Sequence, residues 1–199
     1  MFVIGRTLRD IKENLMYPVW VMQGKPAPDN HIHKRKRILA IAKRYSCSSF
    51  IETGTFYGQM INAVKDQFDK VLSVELFEPL YYLNKAAFTN VPHILLYHGD
   101  STLELTNMLK AVSGRILFWL DGHYSGDGTA CGSVESPIFS ELELIKNDSR
   151  KDHCILIDDA RLFMGQGGYP TIESTRNKLL EINHNYEIIV EHDCIIALP

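Results

Sequence analysis

A glycine-containing turn at residues 52–60 constrains the fold of this chain more than any other stretch; it reads Glu-Thr-Gly-Thr-Phe-Tyr-Gly-Gln-Met. It follows the apolar end of a predicted strand and precedes a segment with the apolar spacing of a helix. Gly54 and Gly58 permit a sharp turn between the two and a close approach of the backbone to a ligand. Glu75 ends the next apolar run, about twenty residues on, where a carboxylate can bind the hydroxyls of a ribose. The pattern therefore predicts a βαβ unit that binds an adenosine-containing cofactor.

The rest of the chain alternates between strand and helix patterns. Strands are predicted at residues 48–52, 70–75, 93–98, 115–120 and 152–157, and a closing hairpin at 186–190 and 194–198. Helical segments separate the first five strands, which is typical of a parallel sheet covered on both faces. We therefore predict an α/β fold with a Rossmann-like doubly wound seven-stranded sheet, mostly parallel, with an antiparallel C-terminal hairpin strand.

Composition agrees with one such domain. The chain has 199 residues, of which 45% are hydrophobic and 23% charged, and its net charge of −3 offers no basic field for nucleic acid. Its four cysteines are far apart and form no Cys-x-x-Cys pair, which predicts reduced thiols in a cytoplasmic protein. The N-terminus lacks the features of a signal peptide, and the apolar run at residues 15–22 is too short to span a bilayer.

Two N-terminal features are open to more than one interpretation. Residues 1–30 are predicted to be an N-terminal arm or lid, in which Trp20 and its apolar neighbours cover the ligand cleft, a subunit contact or a membrane surface. A helix is predicted at residues 31–44, and its basic run at residues 33–37 is interpreted as a solvated face rather than a phosphate-binding patch.

Acidic residues follow the predicted strands at one edge of the sheet. The five parallel strands end in Glu52, Glu75, Asp100, Asp121 and the pair Asp158 and Asp159. In sheets of this kind, ligands bind beyond the carboxyl ends of the strands. Because acids placed by chance would fall on either edge, their concentration here predicts the binding site.

With these elements in order, the chain resembles the class I S-adenosylmethionine-dependent methyltransferases over residues 31–199. The first motif of that family matches Glu52, Gly54 and Gly58, with Phe56 where the family has a middle glycine. The resemblance implies that Glu75 binds the ribose and that Asp100 lies near the adenine. The cofactor-binding residues that it implies are Glu52, Thr53, Gly54, Thr55, Gly58, Glu75, Asp100, Ser101 and Asp121.

A narrower resemblance rests on two short segments. Asp-Gly-His-Tyr at residues 121–124 and Ile-Asp-Asp at residues 157–159 resemble the metal-dependent sugar O-methyltransferases related to macrocin O-methyltransferase. The resemblance implies a Mg²⁺ ion held by Asp121, Asp158 and Asp159, which binds two hydroxyls of a sugar. His123 stands where that family often has an acid, and the loop at residues 125–136 also departs, so the acceptor does not carry over.

The predicted activity is methyl transfer from S-adenosylmethionine to a hydroxyl of a sugar or other small molecule. The acceptor must lie in line with the methyl group, and a hard cation would lower the pKa of its hydroxyl. Asp121 and His123 are the candidate catalytic residues, with His123 as a base. A structural interpretation of Asp158 and Asp159, with Asp159 paired to Arg161, stays open, as does a homo-oligomer.

Other classes of protein fit the same fold. A nicotinamide-dependent oxidoreductase is one alternative, although the glycines do not form the Gly-x-Gly-x-x-Gly pattern. A non-catalytic nucleotide-binding protein of the same fold is another. Titration with S-adenosylhomocysteine against NAD separates the first alternative from a methyltransferase, and only an activity assay excludes the second.

Overall fold

The computed structural model describes residues 2–122 and 136–199, with side chains from residue 8 onward. The strands within these residues are β1 (Ser49–Thr53), β2 (Lys70–Glu75), β3 (Ile94–His98), β4 (Ile116–Leu120), β5 (Cys154–Ile157), β6 (Glu187–Glu191) and β7 (Cys194–Leu198). The α-helices are α1 (Phe2–Met22), α2 (His31–Tyr45), α3 (Gln59–Val64), α4 (Glu78–Ala87), α5 (Ser101–Lys110), α6 (Ile138–Asn147) and α7 (Ile172–Ile182). Short 3₁₀ helices cover Lys65–Gln67 and Ala160–Leu162.

The described strands form a single sheet in the order β3-β2-β1-β4-β5-β7-β6. The first five are parallel, and β7 runs antiparallel between β5 and β6. This confirms the predicted fold. The chain leaves β1 toward β2 on one side and returns to β4 on the other, so a crevice opens beyond the carboxyl ends of β1 and β4.

Helices cover both faces of the sheet, which explains why its central strands are buried throughout. Successive strand residues point to opposite faces, so Phe50 packs under α2 and α3 whereas Ile51 packs under α5 and α6. Every residue of β1, β4 and β5 is buried. A strand buried on both faces shows a continuous apolar run in place of alternation.

Helix α1 is the largest element that the sequence did not predict. It contains Pro18, a residue that usually ends or kinks a helix. Contacts with the domain hold it: the Trp20 ring lies 5.1 Å from that of His33 and 6.4 Å from that of His192. Trp20 is buried, but Leu15 is 71% exposed and Met22 is 79% exposed. The described residues therefore leave Leu15 and Met22 uncovered, and the interpretation of this segment as a lid stays a prediction.

Neither α1 nor any other helix in the described part of the chain combines the length and the apolar character needed to cross a membrane.

Candidate cofactor and metal site

The glycine turn between β1 and α3 has a left-handed backbone at three positions. Gly54 has φ +85°, Phe56 has φ +49° and Gly58 has φ +66°. A Cβ atom on Gly54 would lie 2.5 Å from the backbone oxygen of Asp121, and one on Gly58 would overlap the side chain of Asn84. Both glycines are therefore required by contacts within the fold, whatever ligand binds above them. Phe56 has the left-handed conformation at the position where the family that the sequence resembles has its middle glycine.

Glu75 fixes the turn from the end of the neighbouring strand. Its Oε2 accepts a hydrogen bond from the Phe56 N–H at 2.7 Å, and its Oε1 accepts one from the Phe77 N–H at 2.8 Å. Burial raises the pKa of this carboxyl above its ordinary value. An ionised carboxylate accepts about four hydrogen bonds, so these two leave capacity for the hydroxyls of a ligand.

Glu52 lies beneath the turn and connects β1 to β2. Ser73 Oγ donates to Glu52 Oε2 at 2.6 Å, and Thr55 Oγ1 lies 2.6 Å from the same Ser73 Oγ. Burial raises the pKa of Glu52 well above its ordinary value. On the other side of β1, the carbonyl oxygen and Oγ1 of Thr53 accept hydrogen bonds from the Asp121 N–H at 3.2 and 3.3 Å. These contacts hold the ends of β1, β2 and β4 in one rigid group.

Asp100 is the N-cap of α5. Its Oδ1 accepts from the Thr102 N–H at 2.9 Å and from the Thr102 hydroxyl at 2.7 Å. Ser101 is buried at the first position of the helix. This capping function was not among the sequence predictions, and the predicted contact of Asp100 with an adenine stays a prediction.

Helix α1 reaches the glycine turn from outside. The Arg9 guanidinium lies 4.1 Å from the centre of the Tyr57 ring. Asp10 accepts from Gln59 Nε2 at 3.2 Å and forms an ion pair with Arg35 on α2. The first half of α1 is thereby attached to the segment predicted to bind the cofactor.

The acids after β4 and β5 come together as predicted. Leu120 pairs with Ile157 in the parallel register, which places Asp121 and Asp158 side by side. Asp121, Asp158 and Asp159 each offer a carboxylate oxygen, and these oxygens all lie within 4.8 Å of one another. Asp158 is 3% exposed, and its buried Oδ1 has no hydrogen-bond partner among the described residues. Hard oxygen donors at this spacing fit a divalent cation such as Mg²⁺.

Lys34 of α2 enters this acidic cluster. Its ammonium forms an ion pair with Asp158 and lies 3.9 Å from Asp159 Oδ1. Farther along the helix, Arg37 pairs with Asp29 at 2.8 Å. The Lys34 and Arg37 side chains are only 15% and 5% exposed. The interpretation of residues 33–37 as a solvated face was therefore wrong for Lys34 and Arg37, because α1 and the edge of the sheet cover this side of α2, whereas Lys36 is exposed.

The charges of the cluster shift one another's pKa values. Burial first, and then the charge of Asp121, raises the pKa of Asp158, while Lys34 opposes the rise. Burial also raises the pKa of Asp121, again against Lys34. Asp159 pairs with Arg161 at 2.7 Å, the structural alternative that the sequence left open. The desolvation of negative charge in the cluster thus costs free energy, and a nearby cation offsets part of that cost.

Glu141 is a site residue that the sequence reasoning missed. It is 1% exposed, and its Oε1 has no hydrogen-bond partner among the described residues. It lines a small cleft together with Asp158, Phe163 and Tyr169. Burial raises the pKa of Glu141 to about 7, against hydrogen bonds from Ser101 and Thr53. The sequence did contain a signal that this carboxyl is buried, because Glu141 shares the apolar face of α6 with Ile138, Leu142 and Ile145.

Replacing Glu141 with Gln is expected to stabilise the protein at high pH. The carboxyl has a pKa of about 7 in the folded chain and about 4.3 in an unfolded one, a difference of up to about 4 kcal/mol. Below about pH 4 the carboxyl is protonated in both the folded and the unfolded chain, so it does not lower the free energy of unfolding. As the pH rises from there through about 7, the carboxyl ionises more readily in the unfolded chain, and the free energy of unfolding falls. The gain of Glu141→Gln over wild type should therefore grow between pH 5 and pH 8.

Urea denaturation at the two pH values measures this gain. Other titrating groups are common to both proteins and cancel in the difference. Glu143→Gln is the matched control, because the Glu143 side chain is 46% exposed on the same helix. A gain that is equal at pH 5 and pH 8 would contradict the raised pKa.

The predicted catalytic residue His123 lies outside the described residues, as do residues 124–135 of the following loop.

Known structures with a similar fold are methyltransferases that act at oxygen or at nitrogen. The O-methyltransferase from Bacillus cereus in complex with S-adenosylhomocysteine has a TM-score of 0.58 and 12% identity, over 94% of this chain and 90% of that chain. The O-methyltransferase TomG from Streptomyces achromogenes, in complex with S-adenosylmethionine, has a TM-score of 0.54 and 12% identity, over 94% and 88%. The N-methyltransferase NodS from Bradyrhizobium japonicum has a TM-score of 0.53 and 12% identity, over 83% and 92%.

At this identity the likeness establishes a fold shared with these structures. No family model matches the sequence, and no curated protein matches it.

Proposed function

We propose that the protein is an S-adenosylmethionine-dependent methyltransferase that methylates a hydroxyl of a small molecule such as a sugar. The observation that carries the proposal is the arrangement of one edge of the sheet. A glycine turn fixed by Glu75 stands directly beside a cluster of three carboxylates, in a fold shared with methyltransferases. The place where a methyl donor would bind is thus next to the place where an acceptor would be activated, as a transfer reaction requires.

The cofactor would lie over the glycine turn. The left-handed turn at Gly54 leads into α3, whose first N–H groups are not bonded within the helix. Glu75 would bind the ribose hydroxyls with the acceptor capacity that its two backbone bonds leave. Asp100 and Ser101 would lie beside the adenine, and Glu52, Thr53, Thr55 and Gly58 would support the turn.

The acceptor would enter the cleft beside Asp158. Phe163 and Tyr169 offer aromatic surface, with their rings 5.7 Å apart, and Glu141 offers a buried carboxyl oxygen. A compound with an apolar face and several hydroxyl groups matches such a lining. Asp121 at the end of β4 lies between this cleft and the glycine turn, and would orient the reacting hydroxyl.

Asp121, Asp158 and Asp159 would hold the divalent cation. A bound Mg²⁺ lowers the pKa of an alcohol and orients it. The protein's own contribution is to keep three carboxylates close together in a buried place, where water competes weakly for them. Whether His123 accepts the proton stays a prediction.

Calorimetry with S-adenosylhomocysteine tests the cofactor assignment. The wild type should bind it, and Glu75→Ala should weaken binding by about 1–3 kcal/mol, the loss usual for a buried hydrogen-bonding partner. Glu78→Ala is the matched control, because Glu78 is an exposed carboxylate three residues farther along. Its affinity should equal that of the wild type.

Two results would overturn the proposal. One is the absence of heat with both S-adenosylmethionine and S-adenosylhomocysteine. The other is heat with NAD in place of these two compounds, which would favour the nicotinamide-dependent oxidoreductase.

A further inference from the structure

Lys34 is held among the carboxylates that would bind a metal ion. Its ammonium is paired with Asp158, lies 3.9 Å from Asp159 Oδ1 and lies 5.8 Å from the centre of the Trp119 ring. The side chain is 15% exposed, so the ammonium has lost most of its contact with water. A lysine accepts such desolvation only with close negative partners. The cluster therefore already contains a cation of the chain beside Asp158, in addition to Arg161, which pairs with Asp159.

Ion pairs of two arginines that follow Lys34 fix the helix that carries it. Arg35 pairs with Asp10 of α1, and Arg37 pairs with Asp29 at 2.8 Å and with Glu191 at 3.5 Å. The Lys34 side chain, in contrast, ends in a point charge on a flexible four-carbon stem. Its ammonium can move away from Asp158 while α2 stays in place.

We propose that Lys34 is an internal counter-ion that competes with a divalent metal for Asp121, Asp158 and Asp159. The ammonium offsets part of the negative charge of the cluster in the metal-free protein, and a metal ion enters only when the ammonium leaves. Two cations cannot both lie within a few ångströms of the same carboxylates without strong repulsion. The inference rests on the metal site of the proposed function, and it assigns to Lys34 the control of metal affinity.

Two consequences follow from this competition. The ammonium reduces the repulsion among the three clustered carboxylates in the metal-free protein, so the protein folds without a metal. Metal affinity is lower than the carboxylates alone would give, because binding must displace the ammonium. Removing the charge of Lys34 should therefore change the two properties in opposite directions: metal affinity rises and metal-free stability falls.

Mn²⁺ binding to Lys34→Gln tests the proposal. Free Mn²⁺ is measured by electron paramagnetic resonance during titration of wild type, Lys34→Gln and Lys36→Gln. Lys36 is the matched control: it is on the same helix, is exposed, and lies over the Tyr17 ring at 4.5 Å. Lys34→Gln should bind Mn²⁺ about tenfold more tightly than wild type, within the range usual for coupled ligands. Lys36→Gln should bind it as the wild type does.

Thermal unfolding provides the second measurement. In excess chelator the midpoint of Lys34→Gln should lie below that of the wild type, and saturating Mn²⁺ should raise it by more than it raises the wild-type midpoint. Circular dichroism and binding of S-adenosylhomocysteine establish that the variant is folded. A folded Lys34→Gln with wild-type Mn²⁺ affinity would overturn the proposal and leave the metal site standing.

Two other outcomes separate the proposals. If Mn²⁺ binds neither protein, the metal site and this inference both fail, while binding of S-adenosylhomocysteine still supports the cofactor assignment. If Mn²⁺ binds Lys34→Gln but not the wild type, Lys34 is the counter-ion that we propose, and the native chain works without a metal.

Discussion

Asp158→Asn is expected to abolish methyl transfer and to leave the affinity for S-adenosylhomocysteine unchanged. Asp158 is 3% exposed and contributes an oxygen to the cluster with Asp121 and Asp159. An amide in its place keeps the shape but removes the charge, and loss of a metal ligand should reduce turnover by about 100-fold or more. The cofactor would lie over the ends of β1, β2 and β3, whereas Asp158 follows β5 and is not among the residues predicted to bind it.

The measurement is formation of S-adenosylhomocysteine with any sugar that the wild type accepts, after chelation and again after addition of Mg²⁺. Asp152→Asn is the matched control, because Asp152 is an exposed acid near the opposite end of β5 and pairs with Arg115 at 2.8 Å. It should retain wild-type turnover. Wild-type turnover in excess chelator would refute the metal requirement, and full activity of Asp158→Asn would refute the assignment of this residue.

The acidic edge could be predicted because it depends only on strand order and direction. β2 and β7 begin and end at the predicted residues, since each is an apolar run bounded by polar or turn residues. In a parallel sheet the carboxyl ends of the strands lie at one edge. An acid after each strand is therefore placed in space by local sequence alone, as Asp121 and Asp158 show.

Helix α1 could not be predicted, because its stability comes from distant contacts. Asp10 accepts from Gln59 Nε2 at 3.2 Å and pairs with Arg35, and the Trp20 ring lies 6.4 Å from that of His192. Such contacts with the domain supply what a segment containing Pro18 lacks in intrinsic helix propensity.

The same limit applies to Lys34 and Glu141, whose functions depend on partners far away in the sequence. A lysine in a basic run is most often solvated, and nothing near Lys34 in the sequence identifies Asp158, 124 positions later, as its partner. Glu141 did carry a local signal, since it interrupts the apolar face of α6. That signal shows that a carboxyl is buried, and only the structure shows the cleft that it lines.

The second large effect is expected from Gly54→Ala, which should destabilise the fold and remove cofactor binding. Gly54 has φ +85°, a conformation that costs an alanine about 1–2 kcal/mol. The added Cβ would also lie 2.5 Å from the backbone oxygen of Asp121, so β1 and β4 must separate at their ends. Since that backbone cannot rotate away as a side chain can, we expect a total loss of about 3–5 kcal/mol of unfolding free energy.

Gly24→Ala separates the two contributions. Gly24 has φ +83°, but no atom lies within 4 Å of an added Cβ, so this variant reports the cost of the backbone conformation alone. Urea denaturation of both variants measures the difference, which we assign to the contact between the turn and Asp121. Because the same contact fixes Asp121 beside the turn, Gly54→Ala should also lower the affinity for S-adenosylhomocysteine, whereas Gly24→Ala should not. Equal losses of stability in the two variants would show that the approach of β1 to β4 is not what requires glycine at this position.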